Sequence, residues 1–179
     1  MTAFTKVRED VLATGFRFTV VRASFRAADG SEFERDIVHH PGAVGVLPFH
    51  DDGTVTLVRQ YRAALDAELV EIPAGLRDVA GEDDATTAAR ELVEEAGLAA
   101  GRIEHLTTFH NSPGYCDEDV AIYLATDLRE VPHDRQGVEE EAMTIERVSL
   151  TDALTWIDDG RITDAKTVIG LCLLARRRA

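Results

Sequence analysis

The chain has 179 residues and a mass of 19.6 kDa, enough for one ordinary domain with a core that needs no staples. Hydrophobic residues make up 45% and charged residues 29%, which excludes a disordered chain. Acids outnumber bases 33 to 19, a formal charge of -14, which argues against a nucleic-acid binder and against docking on anionic membranes.

The N-terminal segment MTAFTKVRED lacks the apolar core of a signal peptide, and no later run approaches the ~18 apolar residues of a membrane span. A cytoplasmic location is expected. Phe16 to Arg26 and Ser31 to His40 are rich in β-formers and flank Asp29-Gly30, a strong hairpin signal. Ala43 to Pro48 and Thr54 to Gln60 flank Asp51-Asp52-Gly53, which predicts a second hairpin. Leu69 to Ile72 reads as a short strand ending at Pro73-Ala74-Gly75. Asp83 to Gly97 reads as a helix with an acidic start and a glycine stop. Strands follow at Ile103 to His110 and Asp119 to Thr126, around Ser112-Pro113-Gly114, and again at Ile145 to Leu150. Two helices close the chain, Asp152 to Asp159 and Asp164 to Arg177. Many strands and few helices in irregular order predict an α+β or mixed α/β sandwich. Cys116 and Cys172 form no close motif, and the six histidines, His39, His40 and His110 among them, show no metal spacing and are expected to be structural or rim residues.

The informative segment is GLRDVAGEDDATTAARELVEEAGL, from Gly75 to Leu98. At 100° per residue, Ala85, Ala88, Ala89, Leu92 and Ala96 form one apolar stripe suited to packing on a sheet. Glu91, Glu94 and Glu95 share the adjacent arc within one turn, and Arg90 can pair with Glu94 at i, i+4. Like charges at this spacing repel, and no lysine occurs between Lys6 and Lys166 to relieve them. Two readings stand: a solvated acidic face, or an all-oxygen site for Mg²⁺ or Mn²⁺.

These residues resemble the box of the Nudix hydrolase family, G-x5-E-x7-R-E-U-x-E-E-x-G-U with U a bulky apolar residue. Glu82, Arg90-Glu91-Leu92, Glu94-Glu95 and Gly97-Leu98 match every fixed position of its second half. One departure is an extra residue between Gly75 and Glu82, six where the pattern has five, which enlarges the loop before the helix. Glu71-Ile72-Pro73-Ala74-Gly75, Gln60-Tyr61-Arg62, Pro113 at fifteen residues past the box, and Asp164 to Gly170 are similar to the ADP-ribose pyrophosphatase branch.

The resemblance implies a Nudix-type mixed β-sheet sandwich flanked by helices, with residues 1–40 as an N-terminal β region used for dimerisation and 41–179 as the hydrolase domain. It implies Mg²⁺-dependent hydrolysis of a nucleoside diphosphate linked to another group, most simply ADP-ribose to AMP and ribose 5-phosphate. Metal ligands would be Ala74 through its carbonyl, Glu91, Glu94, Glu95 and Glu141. The general base would come from the run Glu139-Glu140-Glu141, with Glu139 and Glu140 both open. Arg35, Arg62, Glu71, Leu76, Ser112, Pro113, Gly114 and Glu118 would line the substrate site. Arginine suits that work because its fork contacts phosphate oxygens bidentately. The partners expected are a small-molecule substrate and a second copy of the chain. The alternatives are another Nudix substrate (a nucleotide sugar, a dinucleoside polyphosphate or NADH), a non-catalytic nucleotide-sensing module, and a calcium-binding structural protein. The last lacks any EF-hand loop.

Overall fold

The computed structural model describes residues 3–133 and 141–178. Among them are ten strands and three helices, a mixed α+β fold. They fall into two compact units, Met1–Gly42 with His110–Asp119, and Ala43–Phe109 with Val120–Ala179.

The first unit is a three-stranded antiparallel sheet, β1 (Phe4–Thr14), β2 (Thr19–Ala27) and β3 (Glu32–His39), in that order. The β2–β3 hairpin turns where Asp29-Gly30 predicts it. Gly30 sits at φ 86, a left-handed conformation that glycine adopts without penalty, and Asp29 Oδ1 accepts from the Ser31 amide at 3.0 Å. β1 is a strand that the local pattern does not announce. All eleven of its residues are exposed, so it carries no alternation of apolar and polar positions. The segment 110–119 is tied to β3 by a bridge between Val38 and Cys116 and by His39. Its Nδ1 lies 2.5 Å from Asp117 Oδ2 and its Nε2 2.9 Å from Glu9 Oε1. The Asp117 carboxylate, and secondarily Glu9, raise the pKa of His39 against the opposing effect of burial.

The second unit holds two sheets. One has the order β7 (Ala74–Leu76), β4 (Ala43–Pro48), β9 (Asp119–Glu130), β8 (Leu98–His110); the other has the order β10 (Thr144–Ser149), β5 (Thr54–Arg62), β6 (Ala67–Glu71). The hairpin expected between β4 and β5 does not form. The turn at Asp51-Asp52-Gly53 exists, but beyond a bridge between Phe49 and Val55 the two strands go to different sheets. The reason is burial: Val44 to Pro48 are buried without interruption, the mark of a central strand covered on both faces. β4 runs parallel to β9 and antiparallel to β7.

Alternation along β4 organises the core. Val44 and Val46 pack with Ala88, Leu92 and Ala96 of α1 (Asp84–Ala96). Leu47 joins the cluster of Leu57, Ile72, Ile122 and Leu171, shared with α2 (Leu150–Asp158) and α3 (Ala165–Arg178). α1 begins at Asp83, whose side chain accepts from the Thr86 amide at 2.8 Å, and ends at Gly97 in the left-handed conformation, φ 62. Its buried face differs from the alanine stripe read from the wheel. Thr87, Ala88, Glu91, Leu92, Glu95 and Ala96 are buried, whereas Ala85 is exposed and Ala89 half-buried. Two of the acids therefore belong to the packed face. No helix among the described residues is long and apolar enough to cross a membrane.

Candidate active site

The site is built where α1 meets the start of β7. Glu91 and Glu95 are one helical turn apart and keep only 6% and 3% of their surface. Their carboxylates meet two successive residues of the β7 strand. The Ala74 amide donates to Glu95 Oε2 at 2.9 Å. Gly75 lies so close to Glu91 that a β-carbon there would stand 1.9 Å from Glu91 Oε1. A side chain at this position would have to displace the Glu91 carboxylate, and the longer loop before Glu82 leaves that close approach in place. Arg90 gathers the other acids: Nη1 donates to Glu91 Oε1 at 2.6 Å and to Glu94 Oε2 at 2.9 Å, and Nη2 to Glu82 Oε2 at 3.2 Å. Glu82 is fixed in turn by the Thr87 hydroxyl at 2.9 Å.

Burial pushes Glu95 up to about 8, with the charge of Glu91 adding to it and the Ala74 amide, Lys166 and Arg62 opposing. Nearby, Glu71 is 1% exposed; burial alone would raise it, but Arg62 and Lys166 hold it at about 2. Arg62 takes both its oxygens, at 2.7 and 2.6 Å, and Lys166 Nζ bonds the second. Glu71 thus spends its carboxylate on internal partners. Among the described residues, no three His, Cys, Asp or Glu side chains converge as a ready metal cluster. What the chain offers a divalent cation is a pair of oxygen donors, Glu91 and Glu95, where α1 meets β7. Gly75 leaves room for the Glu91 carboxylate against β7, and a cation would favour the ionised form of Glu95 that burial and Glu91 disfavour. Hard cations take such oxygens, so the residues fit Mg²⁺ or Mn²⁺.

The remaining expected residues are placed as follows. Leu76 ends β7, half-buried. Arg35 belongs to the first unit, its guanidinium 4.8 Å from the Phe33 ring centroid, and with Pro113 and Gly114 it borders a cleft of about 440 Å³ walled by Phe25, Phe33 and Tyr115. The aromatic wall is absent from the sequence-level site, although alternation along β3 sets Phe33, Arg35 and Ile37 on one face and the register sets Phe25 opposite Phe33. Ser112 forms the turn below, its carbonyl accepting from the Tyr115 and Cys116 amides. Glu118 accepts from Asn111 Nδ2 at 2.7 Å. Glu139 and Glu140 lie outside the described residues; Glu141 is described and exposed, shortly before β10.

A helix that buries two carboxylates against a glycine strand, inside a two-sheet α+β unit, offers oxygen donors suited to a hard divalent cation. The profile of the NUDIX domain family matches residues 39–169. The chain is 39% identical over 151 residues to the ADP-ribose pyrophosphatase of Bacillus subtilis (strain 168), covering 84% of this chain and 81% of that protein. It is 38% identical over 168 residues to the ADP-ribose pyrophosphatase of Mycobacterium tuberculosis (strain ATCC 25618 / H37Rv), covering 94% and 81%. The solved structure of an ADP compounds hydrolase superposes with a TM-score of 0.83 over 98% of this chain and 94% of that one, at 24% identity, and shares the fold. The chain belongs to the Nudix family, and it is a pyrophosphohydrolase of that family.

Proposed function

We propose that this enzyme hydrolyses the diphosphate of ADP-ribose to AMP and ribose 5-phosphate with Mg²⁺, or Mn²⁺ in its place. The observation that carries the reading is the burial of Glu91 and Glu95 against Ala74 and Gly75, taken with relatives named ADP-ribose pyrophosphatase. Glu91 and Glu95, with Glu94 and Glu141 in support and the Ala74 carbonyl as a further oxygen ligand, would hold the metal. A bound Mg²⁺ supplies charge neutralisation at the diphosphate and a more acidic attacking water. The Ala74 amide holds Glu95 in place, and Arg90 holds Glu91 and Glu94, so the acids are oriented before substrate arrives. A glutamate of the 139–141 run takes the proton from the attacking water as general base. Arg35, Arg62, Ser112, Pro113, Gly114, Glu118, Leu76 and Glu71 are proposed to shape substrate binding. Arg35 offers an exposed guanidinium to an anionic or aromatic group, while Glu71 acts by holding Arg62.

The test is a substrate panel with product identification: ADP-ribose, a nucleotide sugar, a dinucleoside polyphosphate and NADH, each with Mg²⁺. The expected result is a kcat/KM for ADP-ribose at least tenfold above the others, with AMP and ribose 5-phosphate in equal amounts. A preference for another member of the panel replaces the substrate, and no hydrolysis of any member leaves a nucleotide-sensing module.

We also propose that the enzyme works in the cytoplasm as a homodimer paired through the N-terminal β region. The support is β1, whose Phe4, Val7, Val11 and Leu12 are 47–65% exposed, more apolar surface on one strand than a lone chain comfortably leaves in water. Equilibrium sedimentation at micromolar protein should give about twice the chain mass; a value equal to the 19.6 kDa chain would refute the pairing.

A further inference from the structure

We infer that Lys166 and Thr167, in the first turn of α3, are positioning residues for the hydrolytic site, through their hold on the segment Glu71 to Gly75. The inference rests on the metal-dependent reading above. That segment is fixed residue by residue. The Glu71 carboxylate is held by Arg62 and by Lys166. The Ile72 amide donates to Thr167 Oγ1 at 2.8 Å. The Pro73 carbonyl accepts from the Val46 amide at 2.8 Å. The Ala74 amide then donates to Glu95, and Gly75 lies close against the Glu91 carboxylate.

Two of these holds, Lys166 on Glu71 and Thr167 on Ile72, come from α3, 95 residues further along the chain. They act as one unit. Asp164 Oδ2 accepts from both the Thr167 amide at 2.9 Å and the Thr167 hydroxyl at 2.6 Å, while Asp164 Oδ1 lies 3.1 Å from Lys166 Nζ. The hydroxyl of Thr167 thus donates to the residue that caps its own helix and accepts from the strand. Thr167 has no exposed surface, and the Lys166 stem passes over Gly45, where a β-carbon would lie 3.6 Å from its Cδ. Packing therefore allows these side chains little room to drift.

Buried groups need partners in any fold, but these partners converge on the one segment that meets α1. Glu71 already has a bidentate arginine, which is enough to satisfy a buried carboxylate. The added lysine and the threonine relay set the height and angle at which residues 74 and 75 reach α1. Outer groups that orient metal ligands typically matter 10–100-fold for affinity or activity.

The test compares Lys166→Met, Thr167→Val and the conservative Lys166→Arg and Thr167→Ser with the unaltered enzyme. Three quantities are measured: Mn²⁺ affinity without substrate, by the paramagnetic resonance of free Mn²⁺; kcat and KM for ADP-ribose; and the melting temperature. Lys166→Met and Thr167→Val should each weaken Mn²⁺ binding about 10–100-fold and lower kcat to match, with KM changed less than about threefold. Lys166→Arg and Thr167→Ser should recover most of the loss. A fall in melting temperature with Mn²⁺ affinity and kcat unchanged would assign α3 a structural role only and overturn the inference. If Lys166→Met does not fold, Thr167→Val decides alone, because it exchanges one hydroxyl for a methyl. If the unaltered enzyme binds no Mn²⁺ and cleaves no diphosphate, the underlying functional reading falls as well; if it does both and the variants match it, only this inference falls.

Discussion

Replacing Glu95 by Gln should lower kcat for ADP-ribose by at least about 10³-fold while the protein stays folded. Cation assistance at a phosphoryl centre is worth several kcal/mol, and each 1.4 kcal/mol is a factor of ten in rate. Glutamine has the same shape, and its amide oxygen can still accept from Ala74, so the local backbone keeps its bond. Stability should move the other way. Burial holds the Glu95 pKa at about 8 in the folded chain, above the ordinary carboxylate value of 4.5. Between those two values the folded state keeps a proton that the unfolded state has lost, so metal-free enzyme should lose stability as pH rises through that window. The slope approaches at most ~1.4 kcal/mol per pH unit. In EDTA, Glu95→Gln should flatten that slope and melt no lower than the unaltered chain at pH 8. In Mn²⁺ the order should reverse, because only the carboxylate gains from the cation. Circular-dichroism melts across pH, with and without Mn²⁺, give both readings. Unchanged turnover in the Gln variant would reject the assignment of Glu95 as a ligand.

Local chemistry explains which parts of this arrangement are visible in the residues. α1 announces itself because an Asp83 cap, a Gly97 stop and the Glu91/Glu95 spacing all lie within fifteen positions. The Asp29-Gly30 turn is equally local, and so is the hairpin it closes. The turn at Asp51-Asp52-Gly53 has the same signature, yet its strands part, because β4 is drawn into the centre of a sheet by β7 and β9. Sheet membership depends on partners distant in sequence, and turn chemistry cannot see them. β1 is silent for a related reason: a strand with no buried side leaves no period in its residues. The site shows the same division. Glu91 and Glu95 are legible in α1, whereas Lys166 lies in a segment noted only for likeness, and its contact with Glu71 exists in space alone. Phe25 and Phe33 fall between these cases. Strand alternation contains them, but their pairing across β2 and β3 and their meeting with Pro113 and Gly114 exist only in the fold.

Gly75→Ala is the sharpest probe of how closely the strand and helix must meet. The alanine β-carbon would sit 1.9 Å from Glu91 Oε1 and 2.0 Å from its Cδ. Gly75 is not among the residues with positive φ, so alanine suits the backbone and the collision with Glu91 is the whole effect. Glu91 cannot retreat freely, since Arg90 holds its carboxylate at 2.6 Å and little surface remains around it. Either the strand withdraws or the carboxylate swings out, and both separate Glu91 from Glu95 and from β7. Displacements of about 1 Å near reacting groups can cost 10²-fold, so kcat should fall by about that factor and Mn²⁺ affinity by at least tenfold. Gly30→Ala makes the contrast. Its φ of 86 penalises a β-carbon by about 1–2 kcal/mol, but nothing lies within 4 Å and the turn belongs to the first unit. That variant should melt several degrees lower with Mn²⁺ affinity unchanged. Activity and metal affinity retained in Gly75→Ala would mean that Glu91 is not held where hydrolysis needs it, and the role of the glycine would then be confined to folding.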